Sequence, residues 1–151
     1  MLNEDFQDLL QALLSEEAAF LVVGAYAMAV HGVPRATGDL DIWIKPDPDN
    51  ALRVWKALQH FGAPVDALGI SIDDLTAPDM IVQIGLPPRR IDLLTSISGV
   101  AFDDAWSTRK LHEVGTLKVP FLGREALLQN KRESGRPKDL VDVEVLEQNS
   151  D

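Results

Sequence analysis

Asp39 and Asp41 stand one residue apart in GDLDIWIKP, at the head of the apolar run Ile42-Trp43-Ile44. In a strand, side chains alternate, so both carboxylates fall on one face and Leu40, Ile42 and Ile44 on the other. Two like charges held in this way call for a shared proton, a basic partner or a divalent cation. Lys45 has the parity of Asp41 but lies further along the strand. A cation is the economical answer. Mg²⁺ suits it, because it binds through a few carboxylates and leaves positions open for phosphate oxygens. Asp92, in PRRIDLLT, is the candidate third ligand, since an acid among Ile91, Leu93 and Leu94 needs a reason to be there. If the two strands adjoin, three carboxylates can hold two metals, one on an attacking oxygen and one on a triphosphate. The pair spacing also fits plain turn chemistry: Thr37, Gly38 and Asp39 all favour turns, and solvent-facing acids need no metal.

Upstream, VVGAYAMAVHG places Gly24 between an apolar run and a helical one. Free N–H groups at a helix start bind phosphate, and a glycine lets the backbone approach closely. The same arrangement is also an ordinary tight turn. Lys131 and Lys138 either reach phosphates or lie on a solvated helix face. Arg136 either pairs with Asp139 or Glu133 or touches a ligand. Asp139 and Asp142, three apart on the last helix, read as structural acids that fix Arg136 or Lys138 beside the site. Arg35 either contacts a phosphate or balances the acids. His31 reads as a cap or packing residue, and Trp43 and Trp55 as core or as a base-stacking surface. Arg89 and Arg90 flank Asp92 and add to a small basic patch that the net charge hides.

The elements that must position these residues follow from periodicity. Phe6, Leu9, Leu10, Leu13 and Leu14 predict a helix over residues 4–14, capped by Asn3. Residues 20–23 read as a strand, 25–31 as a helix closed by Gly32, and the stretch from Asp39 as a second strand. A helix after Asp47 or Asp49 is expected to bury Leu52, Trp55, Leu58 and Phe61. Residues 62–78 are less periodic, with a helical turn at 71–75. Residues 80–84 and 90–94 read as two strands joined by a turn, 102–106 as a brief helix and 117–119 as a strand. Helices follow over 124–133 and after Pro137, with Val141, Val143, Val145 and Leu146 as the apolar content of the last one. The expected fold is α/β (α+β): a small mixed twisted sheet with flanking helices, in one domain over residues 1–151.

Composition narrows the function classes. The chain has no cysteine, which removes disulfides and thiol chemistry, and its three histidines match no zinc spacing. With 24 acids against 14 bases, the net charge of -10 disfavours a long nucleic acid held by general electrostatics. Residues 1–20 carry acids and no base, unlike a targeting peptide, and no run approaches a membrane span. A cytoplasmic location, with no membrane partner and no extended nucleic-acid surface, is the expectation.

The run from Gly24 to Asp41 resembles the nucleotidyltransferase superfamily with the polymerase-beta-like palm, and in particular its small bacterial members, the minimal and the abortive-infection toxin-like ones. That family's signature is a Gly-Gly or Gly-Ser at a helix start, then two acids one residue apart on the next strand, then a third acid on a later strand. Gly24, Asp39, Asp41 and Asp92 match it, and Arg35 and Thr37 resemble the toxin-like branch. Lys131, Arg136, Lys138, Asp139 and Asp142 are similar to the family's C-terminal end, while residues 50–80 match poorly.

Ala25 stands where the family has Gly or Ser. A serine hydroxyl could donate to a phosphate, and alanine cannot. The resemblance implies Asp39, Asp41 and Asp92 as catalytic and Mg²⁺-binding residues, with Gly24, Ala25, Arg35, Thr37, Lys131 and Lys138 around a nucleoside triphosphate. The implied reaction moves a nucleoside monophosphate to an acceptor hydroxyl on a protein, an RNA end or a small molecule, and releases pyrophosphate. A partner protein or a second copy would seat the acceptor. The alternative is a non-catalytic nucleotide- or partner-binding module that keeps the fold, within a toxin–antitoxin system.

Overall fold

The computed structural model describes residues 2–35 and 38–149. The first helix, α1 (Glu4–Ser15), starts at Asn3, whose side chain accepts from the Phe6 N–H at 3.0 Å. Its stripe of Phe6, Leu9, Leu10 and Leu13 is fully buried. β1 (Phe20–Val23) is buried along its whole length and runs directly into α2 (Gly24–Val30). β2 (Asp39–Ile44) follows, then α3 (Pro48–Phe61), which Asp47 caps through the Asn50 N–H at 2.7 Å. After a 3₁₀ turn (Ile72–Leu75) come β3 (Ile81–Ile84), β4 (Arg90–Leu94), α4 (Phe102–Ser107), β5 (Lys110–Val114), β6 (Leu117–Phe121), α5 (Arg124–Ser134) and α6 (Pro137–Gln148).

The strands form a six-stranded sheet in the order β3-β4-β2-β1-β6-β5. β1 runs antiparallel to β2 and parallel to β6, and β2 runs parallel to β4. The sheet is mixed, as expected. Leu40, Ile42 and Ile44 of β2 are fully buried on one face. Asp39, Asp41 and Trp43 fall on the other, where Trp43 meets Phe102 of α4 edge-on at 5.0 Å. α1 and α3 pack on each other and against β6 and β2, and α5 packs on α6.

The buried stripe of α3 differs from the expected one. Ala51, Val54, Ala57 and Leu58 face inward, while Leu52 is 45% exposed. Alanines let the helix sit close to its neighbours, so the largest side chains do not mark the inner face. On α6, Val143 and Leu146 are buried, but Val141 points outward. β5 was not anticipated at all. It is an edge strand with mostly exposed residues, so it has no inward period to read. Among the described residues no helix is long and apolar enough to cross a membrane.

Candidate active site

Strand register brings the acids together. β2 and β4 adjoin in parallel, with Asp41 directly beside Asp92 and Asp39 beside Arg90. On the other side of β2, Asp41 faces Val23, the last residue of β1. Gly24 therefore sits against the Asp41 carboxylate. A Cβ at this position would overlap Asp41 Oδ2, and the φ of +69° is itself in the region that favours glycine. No side chain caps the first turn of α2, so its N–H groups are left for other partners. Ala25, half-buried, is the next residue in that turn.

The electrostatics follow from this crowding. Burial pushes the Asp41 carboxyl up to about 6, and the charges of Asp92 and Asp39 add to the shift while Arg90 opposes it. Burial likewise raises Asp92, again against the pull of Arg90. Arg90 is the basic partner that spacing left unnamed. Its Nη2 donates to Asp39 Oδ2 at 2.6 Å and to Asp92 Oδ2 at 3.3 Å, and its Nε lies 3.1 Å from Asp92 Oδ1. Neither of those last two atoms, both buried, makes a directional hydrogen bond, so charge rather than alignment holds them together. Position could have identified this arginine: Arg90 is two residues before Asp92 in a strand, hence on the same face. Lys45 instead pairs with Asp103 and Asp47, away from the acids.

Asp41 and Gly24 stand in the wall of a cleft of about 460 Å³. Across it lie Lys131, Ser134, Arg136 and Asp139 of the α5–α6 corner. Ile81, Leu94 and Ile97 add an apolar flank that sequence reasoning did not anticipate. Asp139 and Asp142 are buried and organise the corner. Lys131 Nζ lies 3.4 Å from Asp139 and 3.0 Å from Asp142, and Arg136 Nε donates to Asp139 at 2.7 Å. Burial lowers Lys131 from the usual lysine range, and Asp139 opposes that shift.

The two acids thus fix Lys131 as well as Arg136, and Lys138 is not their partner. Lys138 is exposed on the first turn of α6, outside the cleft lining. Arg35 pairs with Asp142 rather than with Asp39 or Asp41. Thr37 lies outside the described residues. His31 is a buried cap of α2, with its Nε2 2.8 Å from the Leu122 carbonyl, and Trp43 is core. A second cavity, of about 350 Å³ and lined by Leu2, Tyr26, Val30 and Phe121 among others, contains none of the three acids.

All-oxygen donors on Asp39, Asp41 and Asp92 suit a hard cation such as Mg²⁺, and the orphaned Asp92 Oδ1 has capacity for one. In this arrangement, however, no three carboxylates or imidazoles among the described residues converge closely enough to hold a metal. The Arg90 guanidinium lies between Asp39 and Asp92.

No family model and no curated protein matches the chain. Among solved structures it is similar to one from Thermotoga maritima described as a "putative nucleotidyltransferase", with a TM-score of 0.57 and 17% identity over 95% of this chain and 86% of that one. At that identity the likeness speaks for the fold: the mixed six-stranded sheet with flanking helices is nucleotidyltransferase-like.

Proposed function

We propose that the chain is a Mg²⁺-dependent nucleotidyltransferase. The observation that carries this reading is the register that sets Asp41 beside Asp92 in adjoining strands, against the bare backbone of Gly24 and at the edge of a cleft faced by Lys131 and Arg136. Asp39, Asp41 and Asp92 would hold the cation, which when bound neutralises charge on the phosphate oxygens.

The protein's own groups do the rest. Lys131 and Arg136 draw the triphosphate into the cleft, and Ile81, Leu94 and Ile97 offer an apolar wall to the base. Asp92 accepts the proton of the acceptor hydroxyl, a task suited to a carboxyl whose basicity burial has raised. The acceptor oxygen forms its bond to the α-phosphorus as the bond from that phosphorus to the bridging oxygen breaks, and pyrophosphate leaves. Lys131 and Arg136 bring two positive charges to a cleft that Asp41 and Asp139 also line, so the bound cation would supply the excess positive charge that a polyanion needs in a chain of net charge -10. The acceptor is a hydroxyl of a protein, an RNA end or a small molecule, seated with help from a partner protein or a second copy.

Incubation with each α-labelled nucleoside triphosphate, Mg²⁺ and cell lysate tests the reading, with Asp41→Asn as control. Label should move to an acceptor with the wild type and not with the variant. Absence of transfer from all four triphosphates by the folded wild type would overturn it. The Arg90 guanidinium between Asp39 and Asp92 favours a second reading, a non-catalytic nucleotide- or partner-binding module, and that same negative result would support it.

A further inference from the structure

We propose that Arg90 is an internal counter-ion that a divalent cation must displace, so that metal enters the site together with a nucleoside triphosphate rather than ahead of it. The inference rests on the reading of Asp39, Asp41 and Asp92 as the cation's ligands. It resolves a conflict within the site: three oxygen-donor side chains of the right chemistry lie together, yet they do not converge on a metal position.

Arg90 accounts for that conflict. β4 places it beside Asp39 and two residues before Asp92, so its side chain rises on the face that carries the acids. Its Nη2 takes one oxygen of Asp39 at 2.6 Å, and the guanidinium spans both oxygens of Asp92 at 3.1 and 3.3 Å. Each of these oxygens is one a cation would need.

The hold is not an aligned fork. Arg90 Nη2 donates to both Asp39 and Asp92, but Arg90 Nε and Asp92 Oδ1, buried and close, do not align as a second hydrogen bond of the fork. A guanidinium with one of its two contacts to a carboxylate unaligned is easier to dislodge than one in a full bidentate pair. Its side chain is also 29% exposed, so it has room to swing outward.

What dislodges it decides the order of events. A free cation competes for the carboxylates but gives the guanidinium no new partner. A triphosphate brings phosphate oxygens, for which a guanidinium is well matched, to the cleft beside Asp41. Arg90 then exchanges carboxylates for phosphate while the cation takes the carboxylates. Binding of the two ligands becomes strongly cooperative, and by linkage each raises the affinity of the other by the same factor.

The test measures binding of Mn²⁺, an EPR-visible stand-in for Mg²⁺, to the full chain with and without each α,β-imido nucleoside triphosphate. Arg90→Met should bind Mn²⁺ without nucleotide about tenfold tighter than the wild type, and its gain on adding nucleotide should shrink by about the same factor. Arg90→Lys, still cationic but without the fork, should change in the same direction by less.

Affinity for free Mn²⁺ equal to or weaker than wild type in folded Arg90→Met would overturn displacement. If Arg90→Met does not fold, the same result in Arg90→Lys would do so. Nucleotide-dependent Mn²⁺ binding by the wild type in that experiment would leave the proposed function standing. No Mn²⁺ bound by wild type or variant, with or without nucleotide, would overturn both.

Discussion

Replacing Asp139 by Asn removes one charge from the α5–α6 corner and almost no volume. The Asp139 carboxylate is 1% exposed and accepts from Ser134 Oγ and from Arg136 Nε, both at 2.7 Å, with Lys131 Nζ at 3.4 Å. Burial pushes its pKa up, but the bonds from Arg136 and Ser134 and the charge of Lys131 outweigh that and bring it from 3.8 down to about 2. At about 1.4 kcal/mol per unit the shift corresponds to roughly 2.5 kcal/mol. Arg136 is largely exposed and its contribution is screened, which leaves about 2 kcal/mol.

Asp139→Asn should therefore lose about 2 kcal/mol in urea unfolding at pH 7 with an unchanged slope, or about 4–8 °C in Tm for a chain of this size. Because the folded pKa is depressed, the contribution is complete above the unfolded value near 4 and is lost as pH falls through about 2. The gap between wild type and variant should shrink to about half by pH 3. A variant within about 0.5 kcal/mol of wild type at pH 7, or a gap that widens on acidification, would refute the reasoning.

Gly24→Ala should cost about 1–2 kcal/mol from its left-handed φ, and should also weaken Mn²⁺ binding, because the new methyl displaces the Asp41 carboxylate; thermal melts and EPR titration check the two effects. Mn²⁺ affinity should rise about tenfold per pH unit up to about 6 and then level off, with a proton released below that pH, since the Asp41 carboxyl must ionise to bind; calorimetry in buffers of different ionisation heat reads the proton. Asn50→Ala should destabilise by about 2–3 kcal/mol in urea unfolding. Its buried amide joins the Ala19 N–H and carbonyl at 2.6 and 2.9 Å to the Lys45 carbonyl at 2.9 Å; removing it leaves the Ala19 N–H and the Lys45 carbonyl unpaired, while the Ala19 carbonyl keeps the Lys45 N–H at 3.2 Å.

Legibility in the sequence followed the physics of each element. β2 and β4 were read correctly because an acid stands out against an apolar strand and parity assigns its face. Whether Asp92 reaches Asp41 depended on strand order, which periodicity does not contain; the parallel β2–β4 pairing supplies it. Arg90 was visible by parity, but its reach across to Asp39 is a cross-strand contact that again needs the register. Asp139 and Asp142 were identified as structural acids, yet Lys131, eight and eleven residues earlier, became their partner through a helix corner that local spacing does not predict. The exposed edge strand β5 and the alanine-rich inner face of α3 went unread for the same reason. Neither shows the large-apolar period on which such reading depends.

The central claim is that Asp39, Asp41 and Asp92 form a cation-dependent triphosphate site. Calorimetric titration with α,β-imido nucleoside triphosphates at pH 8, where Asp41 is ionised, measures it most directly. The account predicts binding by the wild type with Mg²⁺, little without it, and a loss of about tenfold or more in Asp41→Asn. Equal binding with and without Mg²⁺, or a folded Asp41→Asn that binds as well as wild type, would contradict it.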